Sequence, residues 1–343
     1  MTTDPDSDRR AALFAAKLRA VAHRHWQNIG PEVVSGPFPG GATLMEPATK
    51  RGWLLLDDQA DRRLGAALAL ASRSGVTELH LLVDDADQAA VLARRAGLFA
   101  TPPSVWIIAG AELRAAVAAP PATDPAPAPG AELYRPVLVA AGLDPVVEGG
   151  HLLGEYLGLE VARVVVVDDG TAHVEVGVGR FDREVGAMMF RELAESDALA
   201  RAIAFVAEVR APGAARHPLN QLVPERWLRS VLLAHPALVG ASSLSPVGSA
   251  IPRRNLKDTG IATAIGTDID GLPVVVCCST GVDLELVPGA ADDRLTHAPD
   301  ARLILAVPTR DALAVTTELA SHLLAPAEVV AVADDWRAPQ GGA

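Results

Sequence analysis

The sequence is poor in cysteine, which excludes a disulfide-stabilised fold. It contains two cysteines, and they are adjacent, at Cys277 and Cys278. Neighbouring residues of a strand point to opposite faces of a sheet, so these two side chains do not form a structural clip. We therefore expect both to be small buried residues of a protein in a reducing compartment.

Lysine is scarce as well, with three lysines among 30 basic residues, and 42 acidic residues bring the net charge to −12. Non-specific nucleic-acid binding depends on cationic side chains that neutralise phosphates, so this charge argues against it. The preference for arginine, together with abundant alanine, glycine and proline, is typical of proteins from high-GC actinobacteria.

Long apolar runs and a basic N-terminus are both missing. Apolar runs such as Leu68–Ala71 and Val164–Val167 fall far short of the roughly 20 residues that span a bilayer. The chain begins Met-Thr-Thr-Asp-Pro-Asp-Ser-Asp, which is the opposite of the basic and then apolar start of a signal peptide. We therefore expect a cytoplasmic protein without a membrane association.

Aromatic residues make up 4% of the chain. Trp53, Trp106, Trp227 and Trp336 are scattered in apolar contexts, so they do not form a base-stacking platform for nucleic acid. We predict that they anchor the core.

The common catalytic and cofactor motifs are also missing. The first strand of the N-terminal part continues into Asp57, Asp58 and Gln59 in place of the G-x-G-x-x-G that binds dinucleotides. The sequence has no Walker A, G-x-S-x-G or H-x-x-x-H motif, and Leu284 stands where a C-x5-R phosphatase loop needs arginine.

The clearest boundary in the chain is a run of five prolines among alanines at residues 118–131. Such a segment holds neither a helix nor a sheet ladder, so it is typical of an extended, semi-rigid linker. We predict an N-terminal domain at 1–117, this linker, a C-terminal domain at 132–335 and a flexible tail at 336–343.

The N-terminal domain is predicted to be a small Rossmann-like α/β layer. A helix at Arg9–Gln27 and a proline- and glycine-rich loop through Gly41 precede three apolar strands, at Gly52–Leu56, Glu78–Val83 and Ser104–Ile108. Helical patterns separate these strands, which indicates right-handed crossovers and a parallel sheet.

The C-terminal domain is predicted to be a larger mixed α/β domain with two hairpins. Asp169-Gly170 and Asp270-Gly271 each join two β-branched runs, which is a strong hairpin signal. Each turn is followed by an apolar strand, a glycine and a D-x-E pair. The similarity of the two hairpin segments predicts sub-repeats at 132–210 and 217–335. The alternative is that it reflects only the residue pattern that all β-hairpins share.

The two hairpins place acidic pairs at matching positions, Asp182 with Glu184 and Asp283 with Glu285. Carboxylates two residues apart on a strand lie on one face and supply the hard oxygen ligands that Mg²⁺ or Mn²⁺ prefers. Two such pairs would suit metal-assisted hydrolysis of a phosphodiester. The alternative is that they cap helices, because the dipole at a helix N-terminus favours negative charge.

From Pro224 onward the predicted order is helix, three strands, helix or loop, strand, helix, strand. This order, with an opening helix that reads PERWLRSVLLAHPALVG, resembles the αβββαβ core of the PD-(D/E)XK, or restriction-endonuclease-like, superfamily over about a third of the chain. The resemblance assigns Asp268 to the acidic metal position on the second strand. The E-x-K of the third strand is replaced by Val-Val-Val-Cys-Cys-Ser, and the earlier repeat keeps Glu175 but has Gly177 where lysine belongs. The resemblance therefore implies a degenerate relative.

The loop Ile251–Asp258 is the densest basic segment of this acidic chain. Its Arg253, Arg254 and Lys257 would suit a phosphate or carboxylate, since guanidinium groups bind oxyanions through two parallel hydrogen bonds. The alternative is that they pair with neighbouring acids on a solvated surface.

Two hypotheses for function follow. The first is a non-catalytic or catalytically degenerate binding protein that acts through a protein partner or self-association. The second is a metal-dependent phosphodiesterase or nuclease that uses the acidic pairs Asp182, Glu184, Asp283 and Glu285, with the basic loop Ile251–Asp258 on the phosphate. The candidate ligands of its Mg²⁺ or Mn²⁺ are Asp268, Asp283 and Glu285. The second requires the carboxylates of at least one acidic pair to lie within about 4–5 Å of a shared metal position.

Overall fold

A computed structural model of the chain divides into two compact units. The structure describes residues 5–167, 170–177, 195–211, 214, 217–253, 255 and 258–338. Unit 1 comprises Met1–Pro121 with Glu318–Pro326, and unit 2 comprises Ala122–Thr317 with Ala327–Ala343. The first boundary lies inside the proline-rich segment. Residues 318–326, by contrast, return to unit 1 from within the segment predicted as the C-terminal domain.

Unit 1 is built on a six-stranded mixed sheet whose strands lie side by side in chain order. The strands are β1 (Val34–Phe38), β2 (Gly41–Glu46), β3 (Arg51–Leu56), β4 (Glu78–Val83), β5 (Ser104–Ala109) and β6 (Glu112–Ala115). The helices are α1 (Pro5–His25), α2 (Leu64–Arg73) and α3 (Ala86–Ala96). The predicted strands β3, β4 and β5 are parallel, while β1, β2 and β6 run antiparallel to their neighbours. The predicted α/β class is therefore confirmed, with a mixed sheet.

The prediction of a loop through Gly41 is wrong, because this stretch forms the β1–β2 hairpin. Pro37 is tolerated in β1 since an edge strand does not need every backbone N–H for pairing. At Gly41 a β-carbon would overlap the carbonyl group of Leu55 on β3, so only glycine permits this close strand approach. The hairpin completes a core in which Leu18 of α1 packs with the fully buried Trp53.

Unit 2 contains two sheets within the described residues. An antiparallel sheet has the order β10 (Ala172–Val176), β9 (Leu159–Val166), β8 (His151–Tyr156) and β7 (Asp144–Glu148). A mixed sheet has the order β11 (Ala241–Val247), β12 (Ala262–Asp268), β13 (Pro273–Cys278), β14 (Arg302–Pro308) and β15 (Glu328–Val332). The helices of this half of the chain are α4 (Arg135–Ala140), α5 (Glu195–Val209), α6 (Pro224–Ala234), α7 (Leu286–His297) and α8 (Ala314–Ser321).

Each sheet of unit 2 has its own helix and its own core. Helix α5 packs on β9 and β10, and α6 packs on β11, β12 and β13. Leu157, in the turn between β8 and β9, packs against both cores. Cys277 and Cys278 on β13 are free and buried, as predicted.

The two mixed sheets share one element order. Helix α1 and strands β1 to β5, with α2 and α3, follow the order α-β-β-β-α-β-α-β, and so do α6 and β11 to β15 with α7 and α8. The strand directions also correspond, with two antiparallel pairings followed by two parallel ones. The predicted sub-repeats would instead match β10 with β13. These two strands differ in place, since β10 lies at the edge of the antiparallel sheet and β13 lies inside the mixed one.

Candidate ligand-binding site

The described acidic pair stands at the entrance of a helix. The backbone N–H of Glu285 donates to Asp283 Oδ1 at 2.9 Å, and α7 begins at the next residue, Leu286. Asp283 therefore closes a turn just before α7. Asp182 and Glu184 lie outside the described residues. In the described part of the chain, no group of three or more His, Cys, Asp and Glu side chains is arranged to hold a metal ion.

Asp268 and Arg253 both have partners within the fold. Asp268 Oδ1 accepts hydrogen bonds from the backbone N–H groups of Asp270 and Leu272, each at 2.9 Å, and so closes the β12–β13 turn. Arg253 donates to the carboxylate of Glu225 and to the carbonyl oxygen of Asp258. Arg253 therefore pairs with a neighbouring acid, whereas Arg254 and Lys257 lie outside the described residues.

A buried ion cluster that the sequence did not reveal ties α6 to the antiparallel sheet. Arg226 donates to Glu148 at 2.7 Å and to Glu155 at 2.8 Å, and Arg229 donates to Glu155 at 2.6 Å. Burial alone would raise the pKa of Glu155, but the charges of Arg229 and Arg226 outweigh it and lower this pKa. The cluster is charge-balanced internally, so it fixes the orientation of α6.

Beside this helix lies a cavity of about 350 Å³. The β8–β9 turn, the C-terminal ends of α5 and α6, and the segment after β15 form its walls. Its volume falls in the range of about 300–1,000 Å³ that is usual for small-molecule sites. We call it the arginine–tryptophan pocket, after its principal lining residues Arg210, Trp227, Ser230, His235, Trp336 and Arg337.

Arg210 lies in the floor of this pocket and is 2% exposed. Its guanidinium donates to the carbonyl oxygens of Leu157, of Leu219 at 3.0 Å and of Leu222 at 2.6 Å. The guanidinium carbon lies 4.6 Å from the ring centroid of Trp227. Among the described residues, no carboxylate forms an ion pair with Arg210. Its direct partners in the described part of the chain are therefore carbonyl dipoles and the face of an indole ring.

The charge of Arg210 persists despite this environment. Burial, and then the positive charge of Arg337, lower the pKa of Arg210 to about 10. A group with this pKa remains protonated at neutral pH. The pocket floor therefore carries a permanent buried cation.

Strained backbone surrounds Arg210 on two sides. Leu157 has φ 48°, and Val223, which follows the acceptor Leu222, has φ 42°. The left-handed region is unfavourable for residues other than glycine, and most of all for a β-branched one. Each such residue costs about 1–3 kcal/mol and persists only where its surroundings enforce it. At Leu157, Arg210 contributes to that enforcement by holding the carbonyl group. Val223 is the N-terminal cap residue of α6, and its carbonyl oxygen accepts from the N–H groups of Arg226 and Trp227.

Two tryptophans and a second arginine complete the pocket. The rings of Trp227 and Trp336 meet edge to face, with centroids 5.7 Å apart at an interplanar angle of 82°. The guanidinium carbon of Arg337 lies 5.2 Å from the centroid of Trp227 and 4.8 Å from that of Trp336. Trp227 and Trp336 are buried, as predicted for core anchors. They also form the wall of a cavity, which was not predicted.

A larger cavity of about 480 Å³ lies within unit 1. Its walls are mainly apolar and include Leu68 and Ala71 of α2, Phe99, and Leu319 from the returning segment. Its described lining residues include no arginine or lysine, and the carboxylate of Glu78 at its edge bonds His80 at 2.9 Å. The arginine–tryptophan pocket differs from it in having two arginines in its lining.

Comparison of the chain with protein-family models, curated protein sequences and solved structures gives no match. Among the helices in the described residues, none has the length and apolar character needed to cross a bilayer.

Proposed function

We propose that the protein is a non-catalytic binding protein that takes a small molecule into the arginine–tryptophan pocket. One observation carries this proposal: a buried arginine holds the carbonyl group of the strained Leu157 in the wall of a preformed cavity. Strain of this kind clusters at ligand sites, where it fixes the geometry in advance of binding. A preformed site binds more tightly because fewer side chains and loops must be ordered when the ligand enters.

The chemistry of the lining residues favours binding over catalysis. Apart from Tyr156 and His235, the described ionisable residues that line the pocket are arginines, which do not exchange protons near neutral pH. The hydroxyl of Ser230 already donates to the carbonyl oxygen of Trp227 at 3.0 Å, so it is engaged within its own helix. The phosphodiesterase hypothesis stays a prediction because Asp182 and Glu184 lie outside the described residues. The protein partner and self-association also stay predictions.

Calorimetric titration with three naphthalene probes tests the proposal: 2-naphthyl phosphate, 2-naphthoate and neutral 2-naphthamide. We expect at least one of them to bind with one-to-one stoichiometry. Ala234→Trp fills the pocket from the exposed C-terminal end of α6, and it should weaken that binding by about tenfold or more.

Ala140→Trp is the matched control, because Ala140 is also the exposed last residue of a helix in unit 2 and does not line the pocket. This variant should bind like the wild type. If none of the probes binds, or if both tryptophan variants behave alike, the arginine–tryptophan pocket is not a ligand site.

A further inference from the structure

We infer that the ligand of the arginine–tryptophan pocket is a phosphate monoester whose organic group is planar and aromatic. This inference rests on the proposed function and adds to it the chemical class of the ligand. It stands on the charge, the free donors and the aromatic walls of the pocket.

The described residues that line the pocket include two arginines, Arg210 and Arg337, and no aspartate or glutamate. The chain as a whole carries a net charge of −12. The acids of unit 2 whose charges act on Arg210 are Glu225 and Glu155. Both are already bound to other arginines, Glu225 to Arg253 and Glu155 to Arg226 and Arg229. A dianion therefore balances the charge, and a phosphate monoester carries about −1.5 to −2 at pH 7.

The pocket is also short of hydrogen-bond acceptors. Arg210 uses its terminal nitrogens on three carbonyl groups, but its buried Nε has no acceptor among the described residues. The guanidinium of Arg337 makes no hydrogen bond within the described part of the chain, which leaves its five N–H groups available to a ligand. A phosphate group offers three acceptor oxygens, and a guanidinium fork suits two of them at once.

The two arginines have different roles toward the ligand: Arg337 donates hydrogen bonds, and Arg210 attracts the ligand by its charge. Arg337 is exposed at the rim, so it can contact a phosphate directly. Arg210 lies in the floor and is fixed by its carbonyl partners, so it acts through its charge. Arg337 is held over two indole rings, which restricts its motion before a ligand arrives.

The tryptophans indicate an aromatic organic group rather than free phosphate. Trp227 and Trp336, which are 5% and 1% exposed, lie with Leu157 and Val231 on the apolar side of the cavity. The cavity is several times larger than a phosphate ion needs. Aromatic ligand groups pack on such rings in offset or edge-to-face geometry, with a gain of about 0.5–1.5 kcal/mol beyond the buried area. Free phosphate would leave this part of the pocket filled with water.

The test compares inorganic phosphate with the three naphthalene probes on the full chain. We expect 2-naphthyl phosphate to bind about tenfold or more tightly than 2-naphthoate, 2-naphthamide and inorganic phosphate. In Arg337→Gln this preference for the ester over the neutral amide should fall by about tenfold, while the affinity for the amide stays unchanged. Arg337 is exposed, so an unchanged unfolding midpoint will show that the variant folds.

Arg201→Gln is the control for net charge, since Arg201 is exposed on α5 and does not line the pocket. It should bind all four probes like the wild type. Equal binding of the ester and the amide would overturn the ligand class but keep the proposed function. Equal binding of inorganic phosphate and the ester would overturn the aromatic part. If none of the four binds, the proposed function falls together with this inference.

Discussion

The pKa of Asp144, at the start of β7, is raised by some features of its surroundings and lowered by another. Burial, and then the charge of Glu155, raise the pKa of Asp144 to about 6, while the charge of Arg229 acts in the other direction. The native state therefore binds this proton more tightly than the unfolded chain does. The stabilisation that the protonated form provides is complete below a pH of about 4 and is lost as the pH rises through about 6.

We expect Asp144→Asn to raise the free energy of unfolding at pH 7 by about 1–3 kcal/mol, because the amide needs no deprotonation in a partly buried place. At pH 4 the gain should largely vanish. Urea unfolding of both proteins across this pH range measures the difference directly.

Asp270→Asn provides the comparison at an exposed aspartate of the β12–β13 turn. Its effect should stay within about 0.5 kcal/mol at both pH values. A gain for Asp144→Asn that is the same at pH 4 and pH 7 would contradict the explanation from protonation.

At the scale of elements, the β8–β9 turn sets the position of the pocket. Gly158 has φ 78°, and a β-carbon on it would overlap the backbone of Arg226 and Trp227 on α6. Gly271, in the β12–β13 turn, has nearly the same φ of 79° but has no atom within 4 Å of that place. The two glycines therefore share a conformation and differ in their surroundings.

We expect Gly271→Ala to lower the free energy of unfolding by about 1–2 kcal/mol, which is the cost of a left-handed alanine. Gly158→Ala should lower it by about 3 kcal/mol or more, because the turn must also move away from α6. Chemical denaturation measures both values. Equal losses would show that the turn does not press on the helix.

The element order was more predictable than the pairing of the strands. Strand β4 was predicted with its observed bounds, since it is a short apolar run between turn residues. Strands β1 and β2 were missed because Pro37 and Gly41 are typical of loops, and only an edge position and a close strand contact explain them. Such causes lie in the neighbouring strands and not in the local sequence.

The pocket was not predictable for a related reason. Trp227 and Trp336 were expected in the core, and the structure places them there. Their second role depends on Arg210, whose acceptors are backbone carbonyl groups of other loops. Every residue has a backbone carbonyl group, so the sequence does not indicate which of them will bind an arginine. The carboxylates of the acidic pairs, by contrast, are identified by residue type. The adjacent pair Trp336-Arg337 was a local signal in the sequence.

At the scale of the whole molecule, unit 1 depends on residues from far along the chain. Leu323 pairs with Phe99 in an antiparallel bridge, the N–H of Ala100 donates to the carbonyl oxygen of His322 at 2.9 Å, and that of Leu324 donates to Leu98 at the same distance. Leu323 is 2% exposed, whereas its neighbour Leu324 is 67% exposed.

We expect Leu323→Ala to destabilise unit 1 by about 2–5 kcal/mol, because it leaves a cavity in a buried contact. The matched change Leu324→Ala should cost no more than about 0.5 kcal/mol. Native-state hydrogen exchange locates the effect: Leu323→Ala should reduce protection at Ala100 and β5, and leave β12 and β13 of unit 2 as they were. An equal loss of protection in the two units would contradict this assignment.

The returning segment also determines when unit 1 is completed on the ribosome. Residues 318–326 are synthesised about 200 residues after Pro121, where the first part of unit 1 ends. At about 5–20 residues per second, this interval lasts roughly 10–40 s. During that time Phe99 and the walls of the unit 1 cavity lack the segment that packs against them. A nascent chain that stalls before Leu323 leaves these residues exposed to chaperones and proteases.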